Sequence, residues 1–255
     1  MTSRPLTLRD PAGLLFRFES RLLRLIGPEG QENFEIYKDL PALDAMREQG
    51  ELIDYRVLDS DEKVEILGSA EVRNWFDDLQ YDRADVELIE HPVIPFASHP
   101  VEWSAEMLHD AGLQTLKLAR AVAGDNVRLK DAAADNVLFW QGRPVFIDAL
   151  SLERRPNGSP LWPAADQFIR SFVLPLLAYR DFGHSPRNSF AVDRSGPTPK
   201  ELYPLYSFLG RLLPTVGRYV TLPSWLEGAR QGSGLYTEAN IGSDEKAAFV
   251  FGHLL

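Results

Sequence analysis

The sequence predicts an α+β chain with two lobes, a reduced sheet lobe over residues 1–98 and a mainly helical lobe over residues 99–255. Three observations carry that expectation. Short apolar runs bounded by turn residues crowd the first region, as strands do. Helical apolar spacing dominates the second, first after Ser104 and again from Trp162 onward. Between those helical stretches stands "NVLFWQGRPVFID", two apolar runs joined at Gln141 and Gly142, which reads as a β-hairpin. Strands first and helices afterwards segregate into layers, so a cleft between two lobes is expected.

In chain order, "GLLFRF" and "RLLRLIG" form strand candidates around Glu19 and Ser20 and hence a hairpin. "LPALDAMREQG" predicts a short helix with Asp39 as N-cap, Pro41 in the first turn and Gly50 past the end. "ELIDYRVLD", "KVEIL" and "DVELIEHPVIPFA" are read as further strands, the last pushed to a sheet edge or crossover by Pro92 and Pro95. His91 and His99 each border a proline and are read as turn or cleft-rim residues. Ser104 is placed as the cap of a helix through "AEMLHDAGLQTLKLARAVAG", which Gly124 ends. "WPAADQFIRSFVLPLLAYRDFG" predicts a helix kinked at Pro175, and "PKELYPLYSFLGRLLPTVGRYV" a similar one. Trp75, Trp140, Trp162 and Trp225 are assigned to the core or to lobe interfaces.

Composition narrows the function. The 255 residues carry a formal charge of −10, which disfavours nonspecific attachment to nucleic acid or anionic lipid. There is no cysteine, so disulfides, thiolate catalysis and cysteine-ligated metals are excluded. No window approaches the ~18 apolar residues of a membrane span. The N-terminus has no apolar core followed by a cleavage site, and a cytoplasmic location is expected.

Chemistry concentrates in "KDAAADNVLF" and the hairpin after it. Asp131 and Asn136 form a D-x4-N pair on a loop following a helix, and Asp148 closes the hairpin. Helix, loop, hairpin and Asp is the order of catalytic parts in protein kinases and their relatives, where the first Asp orients the acceptor hydroxyl and the Asn and second Asp hold Mg²⁺. Phosphoryl transfer needs those residue types, because Mg²⁺ takes hard oxygen ligands and the attacking oxygen needs a carboxylate beside it. Lys130 is a second catalytic candidate, placed to contact a phosphate or a carboxylate of the acceptor. "DFG" at residues 181–183 spells the kinase metal triplet but falls at the end of an apolar helix, where Gly183 is expected as a C-cap. ATP and Mg²⁺ are thus the expected cofactors, and a small-molecule or carbohydrate-like acceptor the expected partner.

The run "HPVIPFASHPVEWSAEMLHDAGLQTLKLARAVAGDNVRLKDAAADNVLFWQGRPVFIDALSLE" resembles the kinase-like N-terminal domain of bacterial proteins that continue into a class I SAM-dependent methyltransferase, a rhizobial nodulation-protein-like group. "DPAG" at residues 10–13 and the stretch around Gln167, Phe168 and Leu174 to Leu176 extend the likeness. The resemblance implies a bilobal protein-kinase-like fold, a methyltransferase domain or partner protein, and a cleft position for Glu102. The chain departs from active kinases in having neither a G-x-G-x-x-G loop nor a "VAIK"-like lysine. Lys38, with Glu48 or Glu51, and Arg24 are the candidates to replace that nucleotide-binding cation. No G-x-G-type turn after a strand marks a SAM site. The expectation is therefore an ATP-dependent phosphotransferase, with a noncatalytic pseudokinase serving a methyltransferase as the alternative.

Overall fold

The computed structural model describes residue 6, residues 12–156 and residues 162–228. Its mixed α/β chain forms two compact units, one from residues 1–96 with 147–154 and the other from residues 97–146 with 155–255. "DPAG" begins outside the described residues.

In the first unit, β1 (Gly13–Phe18) and β2 (Arg21–Ile26) pair antiparallel as the expected hairpin. Their turn is only Glu19 and Ser20, with Glu19 in the left-handed region. Two helices follow, α1 (Gln31–Asp39) and α2 (Pro41–Glu48), of which only the second was expected. The N-cap of α2 is Leu40, which has no side-chain oxygen, and Asp39 belongs to α1. The strand expected in "ELIDYRVLD" contracts to β3 (Arg56–Val57). "KVEIL" is not a strand: it lies in α3 (Ser60–Gly68), started by a capping box in which the Asp59 carboxylate accepts from Glu62 N–H and the Glu62 carboxylate accepts from Asp59 N–H. Helix α4 (Ala70–Phe76) follows, capped by Ser69. Strand β4 (Glu87–His91) ends before Pro92 and sits inside a sheet of order β1-β2-β4-β3. Its prolines therefore trim its length without moving it to an edge. Leu14, Phe16, Leu23, Leu25 and Leu88 from the sheet bury against Ile66, Leu67, Val72 and Phe76 of α3 and α4. On the sheet surface, Arg21 and Arg56 share the carboxylates of Glu62 and Glu90. Residues 147–154 contribute β8 (Leu152–Arg154), on which α1 packs.

The second unit is built on α5 (Ala105–Ala123), with Ser104 accepting from Met107 N–H as the cap and Gly124 at the C-terminal end. Strand β5 (Val127–Leu129) leads to the Asp131 loop, then to β6 (Val137–Trp140) and β7 (Arg143–Phe146). Gln141 and Gly142 both take positive φ, as a two-residue hairpin turn demands. Helices α6 (Ala165–Phe168) and α7 (Leu174–Phe182) are one rod joined by a π-helical turn, Ile169–Val173. That turn lies immediately before the Leu174–Pro175 step, so the disturbance expected at Pro175 is absorbed upstream of the ring. Gly183 ends α7 in the left-handed conformation, as expected. Shorter helices follow among the described residues: α8 (Pro186–Val192), α9 (Pro199–Leu202), α10 (Pro214–Val216) and α11 (Leu222–Gly228). The single long helix expected over residues 199–220 is thus broken, because its prolines open new turns instead of riding inside one helix. Of the tryptophans assigned to burial, Trp162 is buried and Trp75 stacks edge-on against Phe16, but Trp140 and Trp225 are exposed.

No helix among the described residues is long and apolar enough to cross a membrane.

Candidate functional site

Two functional candidates of the first unit, Arg24 and Asp148, meet. Arg24, in the middle of β2, donates through Nη1 to Asp148 Oδ1 at 3.1 Å, with only 11% of the arginine side chain and 22% of the aspartate side chain exposed. Oδ1 also accepts from Leu150 N–H at 3.1 Å, and Oδ2 accepts from the Ser151 hydroxyl. The turn after the hairpin is therefore wound around its own carboxylate. Asp148 lies two residues past the end of β7 rather than terminating the strand.

His91, at the end of β4, is not a rim residue: it is 4% exposed and its Nδ1 contacts the Asp54 carbonyl at 2.9 Å. Its Nε2 and the Arg24 Nε are both buried without a hydrogen-bond partner among the described residues. Burial, followed by the nearby Arg24 charge, pushes the His91 pKa down to about 4. The imidazole is therefore neutral at pH 7 and adds no charge beside Arg24. Lys38 is placed differently. Its Nζ pairs with Glu35 one turn back at 2.8 Å, on the exposed side of α1, and that bond raises its pKa. Of the two replacement cations considered, Arg24 is the one held against Asp148.

In the second unit the Asp131 loop is fixed from behind. Trp162 Nε1 donates to the Leu129 carbonyl at 2.8 Å, and Ala132 N–H donates to Gln167 Oε1 at 2.7 Å. Ala132 and Ala134 are buried, while Ala133 between them is half-buried. Asp131 Oδ1 accepts from Ala133 N–H at 3.0 Å, and Asn136 Nδ2 lies 3.5 Å from the Asp131 carbonyl. Asp131 Oδ2 and Asn136 Oδ1 are engaged by none of the described residues. The same loop thus holds one carboxylate oxygen and one amide oxygen with their lone pairs unused. Lys130 is half-buried beside them. Glu102 is exposed and accepts from His99 N–H at 2.8 Å, closing the turn that precedes Trp103. Asp181 of the "DFG" triplet is bound by Arg180 and by the Tyr206 hydroxyl at the end of α7.

In the second unit, Asn136 Oδ1 is an open hard-oxygen acceptor of the kind Mg²⁺ takes. In the first unit, Asp148 uses three of the roughly four lone-pair directions of a carboxylate, leaving one. The two-residue Glu19–Ser20 turn suits nucleotide phosphates poorly, since it has no glycine and brings a carboxylate.

The chain is similar to a nodulation protein. Over 224 residues, 88% of its length, it is 25% identical to nodulation protein NoeA of Rhizobium meliloti (strain 1021). The match covers 43% of that protein, so the chain spans less than half the length of its relative. No family model matches the chain.

Sequence reasoning missed Gln167 and Ser151, which set the two turns, and misread His91. A serine three residues after an aspartate is a turn-closing pattern and was available as a signal. The partnership of Gln167 with Ala132 crosses 35 positions and leaves no local trace.

Proposed function

We propose that this chain is a bilobal, protein-kinase-like phosphotransferase of the cytoplasm that uses ATP and Mg²⁺ to phosphorylate a small-molecule or carbohydrate-like acceptor. One observation carries the reading. Within the second unit, α5, β5, the Asp131–Asn136 loop and the β6–β7 hairpin follow one another, with the loop holding unengaged oxygens of the two residue types the chemistry requires. In this reading Asp131 accepts and orients the acceptor hydroxyl, with Lys130 beside it for an acceptor anion. Asn136 and Asp148 are the Mg²⁺ ligands, and Arg24 is the cation that faces nucleotide phosphate. When bound, Mg²⁺·ATP supplies the transferable phosphoryl group and the neutralising charge. No role in this chemistry is assigned to Lys38, whose ammonium is turned to Glu35, or to Glu102, which closes its own turn.

A second reading is favoured by a separate pair of observations. Asp148 is already bound by Arg24 and Ser151, and the β1–β2 turn is a poor phosphate cradle. Both suit a noncatalytic pseudokinase serving a methyltransferase domain or partner, and the greater length of the nodulation relative leaves room for such a domain.

Calorimetric titration of Mg²⁺·ATP into the protein, Asn136→Ala and Asp131→Asn separates these readings. The phosphotransferase reading expects micromolar-range binding that weakens at least tenfold in Asn136→Ala, and ATP turnover that disappears in Asp131→Asn while binding persists. Binding without turnover in the parent protein would support the pseudokinase. No binding by the parent would sink the phosphotransferase.

A further inference from the structure

A cavity of about 260 Å³ opens in the second unit, lined by His99, Pro100, Val101, Asp135, Phe190 and Arg194. Its size is near the lower end of ligand sites, which run from ~300 Å³, and fits a molecule of monosaccharide size. Both walls are anchored. On one side the His99–Val101 turn is closed by Glu102 and seated on Trp103, whose Nε1 donates to Ser98 Oγ at 3.1 Å and whose ring meets Phe139 edge-on at 5.2 Å. On the other side, Phe190 of α8 is buried and α8 packs against that same turn.

Arg194 stands apart from its mount. The turn carrying it is pinned four times: Arg170 Nη2 donates to Asp193 Oδ2 and to the Gly196 carbonyl, each at 2.9 Å, Ser195 N–H donates to Asp193 Oδ1 at 2.8 Å, and Gly196 N–H donates to the Asp193 carbonyl at 2.9 Å. Gly196 sits at φ +82°, and a Cβ there would lie 2.1 Å from the Arg170 carbonyl oxygen, so the turn admits no side chain at that position. The Arg194 side chain is 81% exposed and, among the described residues, makes one long contact, 3.4 Å, to Asp135 Oδ2. A fixed backbone thus brings a weakly paired cation to the cavity, where an anion can form a charge-assisted bond with it. Asp135 belongs to the loop that carries Asp131 and Asn136.

We infer that this cavity is the acceptor subsite, and that it takes an acceptor bearing a carboxylate or phosphate group, which Arg194 binds in place of Asp135 while the Pro100, Val101 and Phe190 faces cover its apolar side. Calling the bound anion an acceptor rests on the phosphotransferase reading; the anion site itself does not.

The test titrates the full chain, without nucleotide, with D-glucuronate, D-glucose 6-phosphate and D-glucose. At least one anion should bind roughly tenfold more tightly than glucose, with Kd on the order of 1 mM or below. Arg194→Gln, at an exposed position, should remove that preference. Asp135→Asn should tighten the anion severalfold by freeing Arg194 and deleting a like charge. Which anion prefers the site distinguishes carboxylate from phosphate. Neither anion binding better than glucose, or a preference that survives Arg194→Gln, would overturn the inference. Because nucleotide is absent, a failure of Mg²⁺·ATP binding would remove the phosphotransferase reading and leave the anion result standing. ATP turnover without anion binding would remove the subsite alone.

Discussion

Two carboxylates of the same chain are treated in opposite ways. Asp148, in the first unit, is bound from three directions by a guanidinium, a backbone amide and a hydroxyl. Asp131, in the second, has one short-range backbone bond and an oxygen left over, while everything that fixes it acts on the backbone behind it. The contrast separates two ways of holding a carboxylate. Charge pairing fixes the carboxylate and occupies it. Packing and main-chain bonds fix the loop and leave the carboxylate free for a ligand.

The largest effect should come from breaking the packing side. Trp162→Ala removes a buried indole and the bond to Leu129, and should cost about 3–5 kcal/mol in urea denaturation. If the loop instead relied on local turn bonds, the loss would be far smaller and the distinction would fail.

Acid should weaken the first unit next. In the unfolded chain His91 titrates near its ordinary 6.5, whereas in the folded one it does so at about 4. Between those values the unfolded state holds more proton, so stability that is complete above pH 6.5 falls as the pH drops toward 4. The upper limit of that loss is about 3 kcal/mol. Arg24 acts in the same direction, while the Asp54 carbonyl and the Asp148 and Asp54 charges oppose it. Denaturation midpoints across this window should flatten in His91→Gln; an unchanged slope would assign the acid sensitivity elsewhere.

The smallest effect tests the charge side. Arg24→Met strips Asp148 of its cation but leaves two donors in place, and Asp148 keeps some solvent. A cost of about 1–3 kcal/mol is expected, below that of breaking a fully buried pair. The same change removes a positive charge beside His91, so its NMR titration midpoint should rise. A fixed midpoint would show that the Arg24 charge takes no part in setting it.

How much of this was legible depends on the distance over which each signal acts. The 137–146 hairpin was readable because Gln141-Gly142 supplies the required backbone conformations within two residues. Ser104, Gly124 and Gly183 mark helix ends by equally local chemistry. "KVEIL" carries β-like side chains, but the reciprocal capping of Asp59 and Glu62 just before it decides the segment as helix. Helix α1 was missed for want of a marked start: its N-cap is Gly30, with no side chain to give. Candidate site residues were recognisable by type and spacing, whereas their states were not. That Arg24 would meet Asp148 across 124 positions, and that His91 would be sealed in beside them, are products of tertiary packing.

The alternating burial of the three alanines has a consequence for variation. Ala132 and Ala134 face filled space and Ala133 does not, on a stretch that belongs to no strand. In a saturation library across residues 131–136, tolerance should therefore alternate: closed to larger side chains at 132, open at 133, closed again at 134. Such a period of two would ordinarily be taken for a half-buried strand, so a mutational profile interpreted without the structure would draw a strand through the loop that carries Asp131 and Asn136.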